Sequence, residues 1–210
     1  MIDPSKIYFF MLAALALLLV PGPAVLYITA RSASQGRMAG FVSVLAIETA
    51  NFLQAVAAAL GLSAILLSSA LAFDVVKYLG AAYLIYLGIR KLLTSDTRLE
   101  GEQFKRESLQ RVYWQGFIVN ILNPKTALFF FAFLPQFVSP DRGNVTVQTL
   151  LLGVIFVGMA IVTDSMYALA ASSLANKLAG NRYFQKGQQY FAGLVYVGLG
   201  ITTALTGSRK

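Results

Sequence analysis

Six apolar stretches run along the chain, at about residues 7–30, 40–67, 70–92, 112–138, 147–175 and 187–206. Each is close to or above the roughly 20 residues an α-helix needs to cross a bilayer. Polar breaks part them: Arg31 to Arg37, Ser68-Ser69, the run from Thr94 to Arg111, Ser139 to Asn144, and Lys177 to Lys186. The pattern predicts an all-α integral membrane protein with six transmembrane helices. The tight join at Ser68-Ser69 predicts a helical hairpin of spans two and three. The first stretch runs on into Pro21-Gly22-Pro23 without a small-residue cleavage site, so it reads as a retained span.

The longest polar run, 94–111, divides the pattern into three spans (1–93) and three spans (112–210). An odd number of spans per half puts the halves in opposite orientations, an inverted-repeat architecture. Internal similarity is faint: Gly80-Ala81-Ala82-Tyr83 in the third span matches Gly193-Leu194-Val195-Tyr196 in the sixth. A stronger match is one proline motif in the first span of each half, Pro21-Gly22-Pro23 and Asn123-Pro124-Lys125. Proline removes a backbone hydrogen bond and frees a carbonyl one turn earlier. In hydrocarbon such groups are tolerated only against protein or a water-lined cavity. Helices 1 and 4 are therefore expected to be broken at these motifs, and matched breaks point to a transporter's substrate site. Two ordinary structural kinks are the bland alternative.

Composition narrows the function classes. Of 210 residues, 57% are hydrophobic and only 12% are charged, about half the share usual in a soluble domain. The chain has no cysteine and no histidine, which excludes thiol redox chemistry, disulfides, thiolate or imidazole metal sites and a histidine proton carrier. The net charge of +8 is explained by the excess of Lys and Arg in cytoplasmic loops, without any nucleic acid. Eleven Lys and Arg lie in the odd-numbered connections and five on the other side; Lys125 lies within a span. This bias makes 94–111 a cytoplasmic linker loop and puts both termini outside.

Taken together, these residues resemble the lysine exporter family (LysE/RhtB), which includes homoserine and threonine efflux proteins. The resemblance covers essentially the whole chain. It is carried in order by Pro21-Gly22-Pro23; Arg31-Ser32 with Gly36 and Gly40; Gly80 to Gly88; Gly116-Phe117, Asn120 and Asn123-Pro124-Lys125; and Leu134 to Val138. The chain departs from the family pattern at Ala24, where Asn is usual. It departs again at Ala46 to Asn51, where glycines at 46 and 50 are usual and Glu48 is not. The resemblance implies export of amino acids or related small solutes across the bacterial inner membrane, driven by the proton gradient.

Three ionisable residues lie within spans: Glu48, Lys125 and Asp164. Each costs roughly 2.5–3.5 kcal/mol at a helix centre even on a lenient scale, so such residues normally face a bundle interior or a pathway. With a rise of about 1.5 Å per residue, they and Pro23 fall in one band around mid-membrane, roughly 12–20 Å from the nearest span end. The chemistry that fits is zwitterion recognition. Pro21, Gly22, Pro23, Asn123, Pro124 and Lys125 form the candidate substrate site, with freed N–H groups and Lys125 holding a carboxylate. Asp164 first and Glu48 second are the candidate proton-coupling residues. Snorkelling of Lys125 and a purely structural polar cluster around Thr163, Asp164 and Ser165 are the alternatives.

Other features are blander. The run Phe129, Phe130, Phe131 and Phe133 reads as packing and lipid contact. Tyr8, Trp114, Tyr183 and Tyr190 read as interfacial anchors. Gly36, Gly40 and the glycines at 193, 198 and 200 permit close helix approach, within the chain or in a homodimer. Rival functions are an exporter of a cation or other inorganic ion, a non-transporting membrane scaffold subunit and a membrane enzyme. Two buried acids suit a hard cation. A scaffold needs neither broken helices nor intramembrane charge, and an enzyme would need a nucleophile–base or metal-ligand set that the sequence lacks. The expectation is a transporter with no cofactor.

Overall fold

A computed structural model describes residues 2–68 and 107–178, together with isolated helical positions within 75–93 and 190–204. All regular structure among the described residues is helical. Helix α1, Pro4–Leu19, starts where the Asp3 side chain accepts the Ser5 N–H at 3.0 Å and Pro4 takes the first helical position. Ser5, through its hydroxyl and then its amide, and Arg142 hold the Asp3 carboxyl below its usual pKa. The helix stops at Val20, which is extended, and α2, Pro23–Gln35, restarts from an extended Gly22 with Pro23 at its first position. The two axes differ by 52°. Gly36 ends α2 at φ 87°, a conformation glycine adopts readily, and α3, Arg37–Ser68, follows at once.

A second bent helix pair follows at 109–137. Helix α4, Leu109–Ile121, is capped by Ser108. Asn123 then caps α5, Pro124–Leu128, by accepting the Lys125 N–H at 3.1 Å, with Pro124 at the first position. Asn-Pro-Lys is thus, locally, a helix-start signal placed inside an apolar stretch. The segment Pro124–Phe137 bends by 47° from α4. It widens to a π-turn over Phe129–Phe133 and tightens to a 3₁₀ turn over Leu134–Phe137, where Pro135 lacks an N–H for the Phe131 carbonyl. A short turn, Pro140–Arg142, leads to α6, Val145–Leu178, started by Asn144 accepting the Val147 N–H at 3.1 Å. Among the described residues, two helical stretches, Arg37–Gly61 and Val145–Ser173, are long and apolar enough to cross a membrane; each bent pair, taken as one span, brings the number to four. Ser68-Ser69, spans three and six, residues 94–106 and the Gly-x-x-Tyr match lie wholly or largely outside the described residues.

Helices α3 and α6 pack together, with α2 against both, α4 against α3, and α1 against α6. Helices α3 and α6 approach closely at Gly153, where an added Cβ would stand 2.6 Å from the Ala55 Cβ. Apolar residues bury in two clusters. One joins Phe10, Leu17 and Val20 to Ala55, Phe129, Phe130, Phe133, Phe156 and Ala160. The other joins Tyr27 and Ile28 to Val44, Ile47, Val112 and Ala168. The phenylalanine run therefore splits: Phe129, Phe130 and Phe133 are core, and Phe131 is exposed. Tyr8, Trp114 and Tyr190 are exposed, and Tyr183 is outside the described residues.

Ion pairs tie the segments at both ends. The buried Arg31 guanidinium donates to Gln35 Oε1 (2.8 Å), Gln115 Oε1 (2.6 Å) and Glu107 Oε2 (3.2 Å), and lies 5.5 Å from the Tyr27 ring centroid. This joins the end of α2 to the start of α4. At the other end Arg142 pairs with Asp3 at 3.1 Å and Lys6 donates to Ser139 Oγ at 2.6 Å. That joins the start of α1 to the turn after α5.

Candidate functional site

On three segments, a group of buried polar residues falls between the two apolar clusters. On α3 they are Glu48, Asn51 and Gln54, between Ile47 and Ala55; on α6 they are Thr163 and Asp164, between Ala160 and Ala168. Asn120, Asn123, Lys125 and Thr126 lie at the second break, between Val112 and Phe129. All nine are buried. Buried polar groups need partners, and most of these pair with one another or with backbone carbonyls.

Asn120 is the centre of the network. Its amide donates to the Ile47 carbonyl at 2.9 Å and to Asn51 Oδ1 at 2.7 Å. Its own Oδ1 accepts Asn123 Nδ2 at 3.2 Å and the Thr126 hydroxyl at 3.4 Å. Asn51, one turn after Glu48 on the same face, donates to Glu48 Oε2 at 2.9 Å. An unbroken chain of amides thus runs from the Glu48 carboxylate to the N-terminus of α5.

The three ionisable residues meet in this layer. The Asp164 carboxyl lies within electrostatic reach of both Lys125 and the Glu48 carboxyl. Glu48 Oε1 has no hydrogen-bond partner among the described residues. The Lys125 ammonium donates to the Val20 carbonyl beside Pro21, and its stem passes Gly22, where an added Cβ would stand 3.1 Å from Lys125 Cδ. A cavity of about 20 Å³, enough for a water molecule or two, lies among Gly22, Asn51, Asn120, Asn123, Lys125 and Asp164. Apolar side chains, including Leu17, Val25, Ile47 and Phe156, complete its wall.

Of the residues singled out from sequence, Gly22, Asn123, Lys125 and Asp164 line this cavity. Glu48 stands behind it, against Asp164 and Asn51. Pro21, Pro23 and Pro124 set the backbone beside it and are not among its lining residues. Sequence reasoning missed Gln54 and Thr126, and took Asn51 and Asn120 only as pattern positions. A polar residue every three along α3, at 48, 51 and 54, was the available signal.

Residues 15–207 match the family described as LysE type translocator. The chain belongs to this translocator family. It is similar to YrhP, an uncharacterized membrane protein of Bacillus subtilis, at 32% identity over 92% of this chain and 95% of that one. It is also similar to the homoserine/homoserine lactone efflux protein of Salmonella typhimurium, at 28% identity over 88% of this chain and 89% of that one. No solved structure matches this LysE-type translocator. Membership of the family and its apolar helices make it a multi-pass membrane protein.

Proposed function

We propose that this translocator is a secondary active exporter of amino acids or related small zwitterions across a bacterial inner membrane, working by proton antiport. On this reading it has six spans in two inverted three-helix repeats, 1–93 and 112–210, with both termini outside and 94–111 a cytoplasmic linker. The first and fourth spans are the two bent helix pairs. The observation that carries the reading is the meeting of one ammonium and two carboxyls, Lys125 with Asp164 and Glu48, in a buried amide-lined layer between two apolar clusters. Intramembrane charge of this kind marks a pathway.

The roles follow from charge and geometry. A substrate carboxylate takes the Lys125 ammonium from the Val20 carbonyl. The N-terminus of α2, which has no side-chain cap and whose Ala24 and Val25 line the cavity, favours the same negative charge. Lys125 balances one of the two carboxylates. The other requires either a proton or the substrate's ammonium, so the two exclude each other, as antiport demands. The roughly 20 Å³ cavity is too small for an amino acid, and both ends are tied by ion pairs. Export would then alternate between loosening Arg31–Glu107 on the cytoplasmic side and Asp3–Arg142 on the outer side.

The name of the Salmonella relative directs the first experiment. Cells loaded with homoserine, with lysine or with a divalent cation are followed for efflux, with and without an uncoupler. Uncoupler-sensitive efflux of an amino acid, with the cation retained, is expected. Efflux of the cation alone would replace this reading with the inorganic-ion exporter.

A further inference from the structure

We propose that Gln54 and Tyr167 are positioning residues that supply, each from a long helix of one part of the chain, the hydrogen bonds that the proline break in the other part removes. In an α-helix the N–H of residue i bonds the carbonyl of residue i−4. Pro23 therefore leaves the Leu19 carbonyl without its helical donor. The Tyr167 hydroxyl on α6 donates to that carbonyl at 2.8 Å. The next carbonyl, Val20, takes the Lys125 ammonium. At the second break, Pro124 has no N–H for the Asn120 carbonyl, which keeps only tight-turn bonds such as that from the Asn123 N–H at 3.0 Å, and the Lys125 N–H, which would serve Ile121, is drawn to Asn123 Oδ1. Gln54 Nε2 on α3 donates to both, to Asn120 at 3.0 Å and to Ile121 at 3.1 Å.

The correspondence is positional. Leu19 and Val20 stand four and three residues before Pro23, as Asn120 and Ile121 stand before Pro124. The same two carbonyls are served at both breaks, and in each case the donor comes from the opposite part of the chain. Three residues before each donor is a residue that lines the cavity: Asn51 before Gln54 and Asp164 before Tyr167. The same turn of helix thus holds a break and carries a wall of the site. Bare carbonyls are not tolerated in a membrane interior, so these donors keep each break where the cavity residues meet. Relative motion of the two parts would also have to exchange these bonds.

The role does not depend on what is carried, so the decisive readout is stability and not transport. Tyr167→Phe is made in the native protein and in Pro23→Ala, where residue 23 regains an N–H for Leu19. Unfolding midpoints are measured on the purified protein in detergent. Tyr167→Phe should lower Tm by about 2–4 °C in the native protein and by less than half of that in the Pro23→Ala background. Equal losses in both backgrounds, or no loss in the native protein, would overturn the proposal. Gln54→Leu with Pro124→Ala reads the same coupling at the second break should Pro23→Ala fail to fold. In efflux, Gln54→Leu should raise KM with the maximal rate largely kept, since Asn120, Asn123 and Lys125 lose their register; a change in maximal rate alone would contradict positioning. Additive Tm losses with intact homoserine efflux sink the clamps and spare the exporter; coupled losses with no efflux do the reverse.

Discussion

Lys125 concentrates the chemistry at residue scale. Its amide is capped by Asn123, its stem crosses Gly22, and its ammonium rests on Val20 O within reach of Asp164. On the proposed reading it is the group on which a carboxylate-bearing substrate depends. Homoserine carries a carboxylate and its lactone does not, so the two separate this role from packing. Lys125→Met should raise the KM for homoserine about tenfold to a hundredfold, the worth of one charge-assisted hydrogen bond. The KM for the lactone should change little. Equal loss for both substrates in competition efflux assays would reduce Lys125 to a structural role. Its place was legible in sequence, because a lysine inside an apolar stretch after Asn-Pro is a local signal. Gln54 and Tyr167 were not legible, because their partners lie 66 and 148 residues away and neither carries charge.

At the scale of elements, the bundle rests on close contact between α3 and α6, and two glycines on α6 stand in contrast, one at that contact and one in open space. A Cβ at Gly153 would meet the Ala55 Cβ at 2.6 Å, and one at Gly158 meets nothing within 4 Å. Gly153→Ala must push the helices apart, at a cost of about 1–3 kcal/mol. Gly158→Ala removes backbone freedom at no steric cost and should be neutral or stabilising by up to about 1 kcal/mol. Thermal unfolding in detergent compares the two, and a Gly158→Ala loss as large as that of Gly153→Ala would show that this contact does not set the packing. The helices that carry these contacts were readable from hydropathy to within a few residues, since burial of long apolar runs is a local property. The π-turn at Phe129–Phe133 was not, because the phenylalanines there look alike in sequence and differ only in what packs on them.

For the whole molecule, orientation follows from charge. Eleven Lys and Arg in odd-numbered connections against five elsewhere predict a cytoplasmic linker and outside termini. The cysteine-free chain makes the test direct, with Ser5→Cys, Gln103→Cys and Ser208→Cys made singly. An impermeant thiol reagent on intact cells should label positions 5 and 208 and spare 103; labelling of 103 alone would invert the topology and the direction of both ion-pair closures. On the proposed reading, inverted repeats place a break from each half in one layer, and one proline motif per half is the sequence feature that suggests it. How the halves interlock could not be read there, because each break is held by side chains from the other half.

On the proposed reading, proton movement through Asp164, with Glu48 behind it, drives export. An electrical gradient alone supplies about 2.3 kcal/mol per charge per 100 mV, and a pH gradient adds to it. The most direct measurement is homoserine flux in proteoliposomes holding the purified protein, with an imposed pH gradient and proton flux recorded alongside. The native protein should move homoserine uphill against a counter-flow of protons and stop when an uncoupler is added. Asp164→Asn should abolish uphill movement and keep homoserine exchange across the membrane. Full uncoupler-sensitive uphill flux in the Asp164→Asn, Glu48→Gln double variant would contradict the account.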